Sequence, residues 1–151
     1  MPVLNHHIVA ARDKEATSLF FSQVFGFDPP VTLGHFAGVK VSADTTLDFA
    51  DSQGEIHPLH YAFLVTEQEF DDIFQRIRDR RLQYWSNPSR RDPGEINHWD
   101  DGRGVYFEDP NGHLLEILTR PYGSGGTNAT HPHPLIAARV EGSTGDKDND
   151  S

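Results

Sequence analysis

The chain has 151 residues, a length that sets one domain, or two small halves sharing a core, as the expectation. Apolar residues make up 36%, with ten Phe, four Tyr and two Trp to fill an interior, and no run approaches the roughly 18–20 apolar residues that cross a bilayer. There is no cysteine, and 13 basic against 23 acidic residues leave a net charge of −10. Disulfides, thiolate metal sites and thiol nucleophiles are therefore excluded. A nucleic-acid surface is disfavoured, and a cytoplasmic protein acting on a small molecule is expected. The opening MPVLNHHIVA has no basic stretch ahead of a long apolar one, so it is not read as a secretory signal.

Val3–Ala10 alternates loosely and predicts a strand carrying His6 and His7. Asp13 is an N-cap for a helix over Lys14–Val24, where Ala16, Phe20 and Val24 recur every four residues, and Gly26 ends it. Strands follow at about His35–Ser42 and Thr45–Ala50, then a loop at Asp51–Gly54. A similar order then begins again. Pro58–Val65 is a strand with His60. Thr66 and Glu69 form a capping box ahead of an apolar stripe at Phe70, Ile73, Phe74 and Ile77. A short strand is expected at Arg81–Trp85, and a polar loop at Asn87–Asp101. Strands at Gly104–Glu108 and His113–Thr119 are joined by the turn Asp109-Pro110-Asn111-Gly112. From Tyr122 the composition turns to Gly, Ser, Thr, Asn and Pro. Gly123–Pro132 reads as a linker, Leu135–Val140 as a short docking element, and Gly142–Ser151 as disordered.

Nine histidines without cysteine mean that any transition-metal site must be built from imidazole and carboxylate. His6 and His60 lie on the opening strands of the two halves, and Glu116 lies on the last strand. Two His and one carboxylate occupy one face of an octahedral ion and leave about three positions open.

His6 seven residues before Asp13, the segment His60-Tyr61-Ala62-Phe63, and the hairpin Asp109-Pro110-Asn111-Gly112-His113-Leu114-Leu115-Glu116 together resemble the vicinal oxygen chelate superfamily. That superfamily includes glyoxalase I, fosfomycin-resistance thiol transferases, bleomycin-binding proteins and type I extradiol dioxygenases. The resemblance runs over about residues 3–120. It implies an α+β fold of two βαβββ modules, about 3–52 and 56–120, cupped around a metal-binding cavity, with a linker and largely disordered tail over 121–151. It implies His6, His60 and Glu116 as ligands of one divalent ion. It also implies a homodimer, in which some relatives exchange modules so that one site draws ligands from both subunits.

A finer match runs from Ile96-Asn97-His98 through Val105-Tyr106 to Asp109-Pro110, Gly112 and Glu116, and resembles the extradiol ring-cleavage signature. There the positions of His98 and Tyr106 contact the catecholate, an acid–base and hydrogen-bonding task suited to an imidazole and a phenol. The expectation is an extradiol-type dioxygenase acting on a small catechol-like or other oxygen-chelating substrate, with Fe(II) favoured and Mn, Ni or Zn possible. The alternatives are a glyoxalase-type isomerase or lyase, a thiol transferase, and a non-enzymatic antibiotic-binding protein.

Other residues carry simpler expectations. His7 packs on the helix side of its strand, His113 lies at the surface, and His131 and His133 belong to a flexible tail. Asp48 stands where glyoxalase I-like members carry a fourth ligand, one methylene longer. Arg103 is a candidate for steering an anionic substrate. Phe36, Val39, Phe49, Tyr61, Trp85 and Trp99 are expected as cavity walls.

Overall fold

A computed structural model describes residues 1–138. The expected element at Leu135–Val140 falls only partly within them, with residues 134–138 helical. The expected disorder of Gly142–Ser151 lies outside the described residues.

The elements run β1 (His6–Ala11), α1 (Lys14–Phe25), β2 (Val31–Leu33), β3 (Phe36–Lys40), β4 (Thr46–Asp51), β5 (His60–Leu64), α2 (Glu67–Asp79), β6 (Tyr84–Trp85), β7 (Gly104–Glu108) and β8 (Leu114–Leu118). Short 3-10 turns lie at Trp99–Asp101 and Gly126–Asn128. Among the described residues these make two four-stranded sheets, ordered β1-β4-β3-β2 and β5-β8-β7-β6. This is the α+β fold of two βαβββ modules. No described helix is long and apolar enough to cross a membrane.

The first sheet is mixed. β1 runs parallel to β4, with His6 opposite Thr46 and Ile8 opposite Asp48, while β3 is antiparallel to both β4 and β2. Because successive side chains alternate across a strand, Val9, Ala11, Leu47, Phe49, Ala37 and Val39 share one face and are buried. Phe20, Phe21, Val24 and Phe25 of α1 are buried too, and Phe21 meets Phe49 at 4.9 Å between ring centres. Truncating such a fully buried Phe costs about 3–5 kcal/mol. Val39 and Phe49, expected as cavity walls, therefore belong to the core, on the sheet face opposite His6 and Asp48. The opposite face carries His6, Ile8, Thr46 and Asp48, and with them the exposed Val31 and Leu33.

α1 is delimited by local chemistry. Asp13 accepts from the Ala16 N–H at 3.1 Å, and Gly26 closes the C-terminus at φ 78. α2 opens on the reciprocal capping box: Thr66 N–H donates to Glu69 at 2.9 Å and Glu69 N–H donates to Thr66 at 3.1 Å. Its Phe70, Ile73 and Ile77 are buried. In the β7–β8 turn, Asp109 Oδ1 accepts from the N–H groups of Asn111 (2.9 Å) and His113 (2.8 Å), and Gly112 takes φ 89.

By contact density the chain forms two compact units. One comprises Met1–Tyr61, Asp72–Gln83 and Phe107–Leu115; the other comprises Ala62–Asp71, Tyr84–Tyr106 and the described residues from Glu116 onward.

Candidate metal and substrate site

His6 and His60 belong to the first unit, and their side chains are exposed at the starts of β1 and β5. Each makes the same kind of bond. His6 Nδ1 donates to the Asn5 side-chain carbonyl at 2.8 Å, and His60 Nδ1 donates to the Leu114 backbone carbonyl at 3.0 Å. A carbonyl oxygen only accepts, so Nδ1 carries a proton in each ring, the arrangement in which a metal-ligating histidine uses Nε2.

A cavity of about 650 Å³ opens on the first sheet, lined by Asn5, His6, Leu33, Gly34, His35, Phe36, Thr46 and Asp48. Asp48 is 7% exposed, and its Oδ1 is buried without a hydrogen-bond partner among the described residues. A buried carboxylate oxygen lacking a donor is costly. With a Nε2-presenting histidine beside it, this oxygen fits a cation, so the hard oxygen and imidazole donors here suit a divalent ion. Among the described residues of one chain no three His, Asp or Glu side chains form a group that could hold a metal.

His7 and His113 are structural. His7 is half-buried, with the Tyr61 hydroxyl 3.2 Å from its Nε2. His113 is fully buried instead of exposed. Its Nδ1 accepts from Leu59 N–H at 3.0 Å, and its Nε2 donates to the Ala10 carbonyl at 2.9 Å. The strand face opposite Glu116 is thus packed as well.

Glu116 lies in the second unit and is fully buried. The Tyr122 hydroxyl donates to both its oxygens, at 2.6 and 2.7 Å. Tyr106, 1% exposed, has its hydroxyl 2.8 Å from that of Tyr122. Since the one Tyr122 proton faces the carboxylate, Tyr106 is the donor. Burial first, and then the Tyr122 bond and the Glu116 charge, push the Tyr106 phenol far above its usual range. Burial and Glu116 do the same to Tyr122. Both stay protonated donors at neutral pH.

His98 is exposed at the start of the Trp99–Asp101 turn. Its Nδ1 donates to the Gly102 carbonyl at 3.1 Å, so Nε2 is the accepting nitrogen. Arg103 is not available to an anion: it bonds Glu67 and Asp71, each at 2.8 Å, and lies over the Phe70 ring.

The tail departs from the linker expectation. Its backbone N–H groups at Gly123 and Gly125 donate to the Asp100 carboxylate, and those at Thr130 and His131 donate to Asp101. His133 is 4% exposed, its ring 3.9 Å from that of Tyr122 and 4.8 Å from that of Trp99. Sequence reasoning missed Asn5, Tyr122 and His133 as parts of these arrangements. The only local hint was the polar residue preceding His6.

The chain belongs to the Glyoxalase/Bleomycin resistance protein/Dioxygenase superfamily, whose family model matches residues 3–117. Two solved structures are similar to it. Oxidase ChaP-H1 is 52% identical, with 82% of this chain and 100% of that one covered at a TM-score of 0.80. Oxidase ChaP-H2 is 57% identical, with 83% and 98% covered at the same TM-score. A curated relative, glutathione transferase FosA of Serratia marcescens, is 27% identical over 122 residues, which are 76% of this chain and 78% of that protein.

Proposed function

We propose that this protein is a divalent-metal enzyme that uses dioxygen to oxidise a small catechol-like or otherwise oxygen-chelating substrate, in the manner of an extradiol-type dioxygenase. His6, His60 and Glu116 are the proposed ligands, Asp48 is a candidate fourth, and Fe(II) is the preferred ion, with Mn, Ni or Zn as alternatives. The observation that carries this reading is the shared tautomer of His6 and His60, each with its Nδ1 proton tied to a carbonyl. The similarity to two oxidases at more than half identity supports the oxidative direction over the other reactions of the superfamily.

A redox-active ion at these ligands would supply the one-electron chemistry that lets a closed-shell substrate react with dioxygen. The chain's own residues do the rest. His98 Nε2 is the proposed acceptor for a substrate hydroxyl proton, and the Tyr106 phenol, whose proton goes to the Tyr122 hydroxyl in this structure, is the proposed hydrogen-bond donor to substrate oxygen once that bond is given up. A second copy of the chain is the proposed partner, covering the sheet face on which Ile8, Val31 and Leu33 are 55%, 68% and 65% exposed.

The FosA relationship favours a second reading, a thiol transferase. The pairing of Arg103 with Glu67 and Asp71 weighs against a phosphonate-binding role for that residue. The deciding experiment loads the protein anaerobically with Fe(II) and records oxygen uptake across a catechol panel, with glutathione plus fosfomycin as a parallel assay. Oxygen consumption matched by a ring-cleaved product supports the dioxygenase. Thiol adduct formation without oxygen uptake would replace it with the transferase.

A further inference from the structure

The family match ends at residue 117, yet Tyr122 bonds the buried Glu116 carboxylate and the segment after it is tied to Asp100 and Asp101. Asp100 accepts from Gly123 N–H at 3.0 Å and from Gly125 N–H at 3.1 Å. Asp101 accepts from Thr130 N–H at 2.9 Å and from His131 N–H at 2.8 Å. The Asp100 N–H donates in turn to the His131 carbonyl at 2.7 Å. Held this way, the Tyr122 oxygen straddles both Glu116 oxygens at nearly equal distance. That edge is where a carboxylate takes up a cation. The Tyr106 hydroxyl donates to Tyr122 at 2.8 Å.

The anchoring turn and the docked segment both carry costs. Asp100 and Asp101 both adopt positive φ, 58 and 60, without being glycine. His133 Nε2 is buried with no partner among the described residues, a loss that rehydration would relieve. Tyr122 itself is 45% exposed, and Gly123 beside it, at φ 79, supplies a backbone that turns freely. Tethers set against such costs describe an element that a ligand with differential affinity can shift.

We propose that residues 122–133 are a strap whose Tyr122 hydroxyl competes with a divalent cation for Glu116, so that the strap lifts when the carboxylate takes an ion. The proposal rests on the reading of Glu116 as a metal ligand. It adds to that reading a device from outside the family match, which sets how tightly the site loads.

The test uses the full chain with Mn(II) alone as the probe, its affinity read from the electron paramagnetic resonance of free Mn(II). Tyr122→Phe keeps the ring and removes the competing hydroxyl. It should bind Mn(II) about 10–100-fold more tightly, the scale of one lost hydrogen bond to a charged group. Asp101→Asn, which loosens a tether without touching Tyr122, should shift affinity the same way by less. In the unaltered chain, amides 123–131 should exchange with deuterium faster once Mn(II) saturates. Equal or weaker binding by Tyr122→Phe, with Glu116→Gln still impaired, would overturn the strap and leave the metal reading standing. Mn(II) affinity insensitive to Glu116→Gln would overturn both.

Discussion

Gly38 lies directly across from Asp48 in the β3–β4 pairing, and a Cβ at Gly38 would stand 3.1 Å from Asp48 Oδ1. The missing side chain gives the buried carboxylate its room. Gly38→Ala should leave stability within about 1 kcal/mol, since a strand backbone accepts alanine and the unfolded chain loses some freedom. Mn(II) affinity should fall several-fold as Asp48 is pushed aside. Unchanged affinity in a titration would show that Asp48 takes no part in holding the ion.

Asn5 holds the proton on His6 Nδ1. Asn5→Ala releases that tautomer and the ring orientation, and outer supports of this kind are worth about 10–100-fold in metal affinity. The melting temperature should hardly move, because Asn5 is exposed. Affinity equal to that of the unaltered chain would remove Asn5 from the site.

Three phenols link stability to alkaline pH. Burial, and next the charge of Asp109, raises Tyr61 to about 12. Tyr106 and Tyr122 are raised as well, burial again the larger cause. Unfolded tyrosines ionise near pH 10, so above that pH the unfolded chain holds fewer protons and stability falls. Below it the contribution is complete. Followed by absorbance near 295 nm with circular dichroism, the folded chain at about pH 11 should show far less phenolate than its four tyrosines allow. Full ionisation with the fold intact would contradict these environments.

Much of the fold was legible where a few neighbouring residues settle the geometry. Asp13, Gly26, the Thr66–Glu69 box and the Asp109–Gly112 turn act within about five residues, and each forms the bonds its sequence implies. β2 was not legible, because Val31–Leu33 is only three residues, all of them exposed, and its pairing is with β3. His113 misled for a different reason. Alternation places it opposite Glu116, but nothing in one strand tells that both faces of β8 are buried. The tail escaped because its order comes from Asp100 and Asp101, more than 20 residues back, receiving backbone N–H groups. A Gly- and Ser-rich composition carries no trace of such partners. For the proposed ligands His6, His60 and Glu116 the sequence offered residue types and order, whereas their bonds to Asn5, the Leu114 carbonyl and Tyr122 were not legible.

His98 and Tyr106 separate catalysis from folding. His98→Ala removes an exposed imidazole, and Tyr106→Phe removes one hydroxyl while keeping a buried ring. Turnover on the active substrate should fall by about 10²–10⁴ in each, with metal content retained. Unchanged turnover in both would take these residues out of the reaction and move the glyoxalase-type or binding-protein reading ahead.

The most direct measurement is the divalent-metal content of the unaltered chain and of His6→Ala, His60→Ala and Glu116→Gln, by plasma mass spectrometry after loading and exhaustive dialysis. The account predicts about one ion per chain in the unaltered protein and loss of most of it in each variant, since every ligand of such a three-residue face is needed. Full stoichiometry in His60→Ala, with the fold intact, would contradict it.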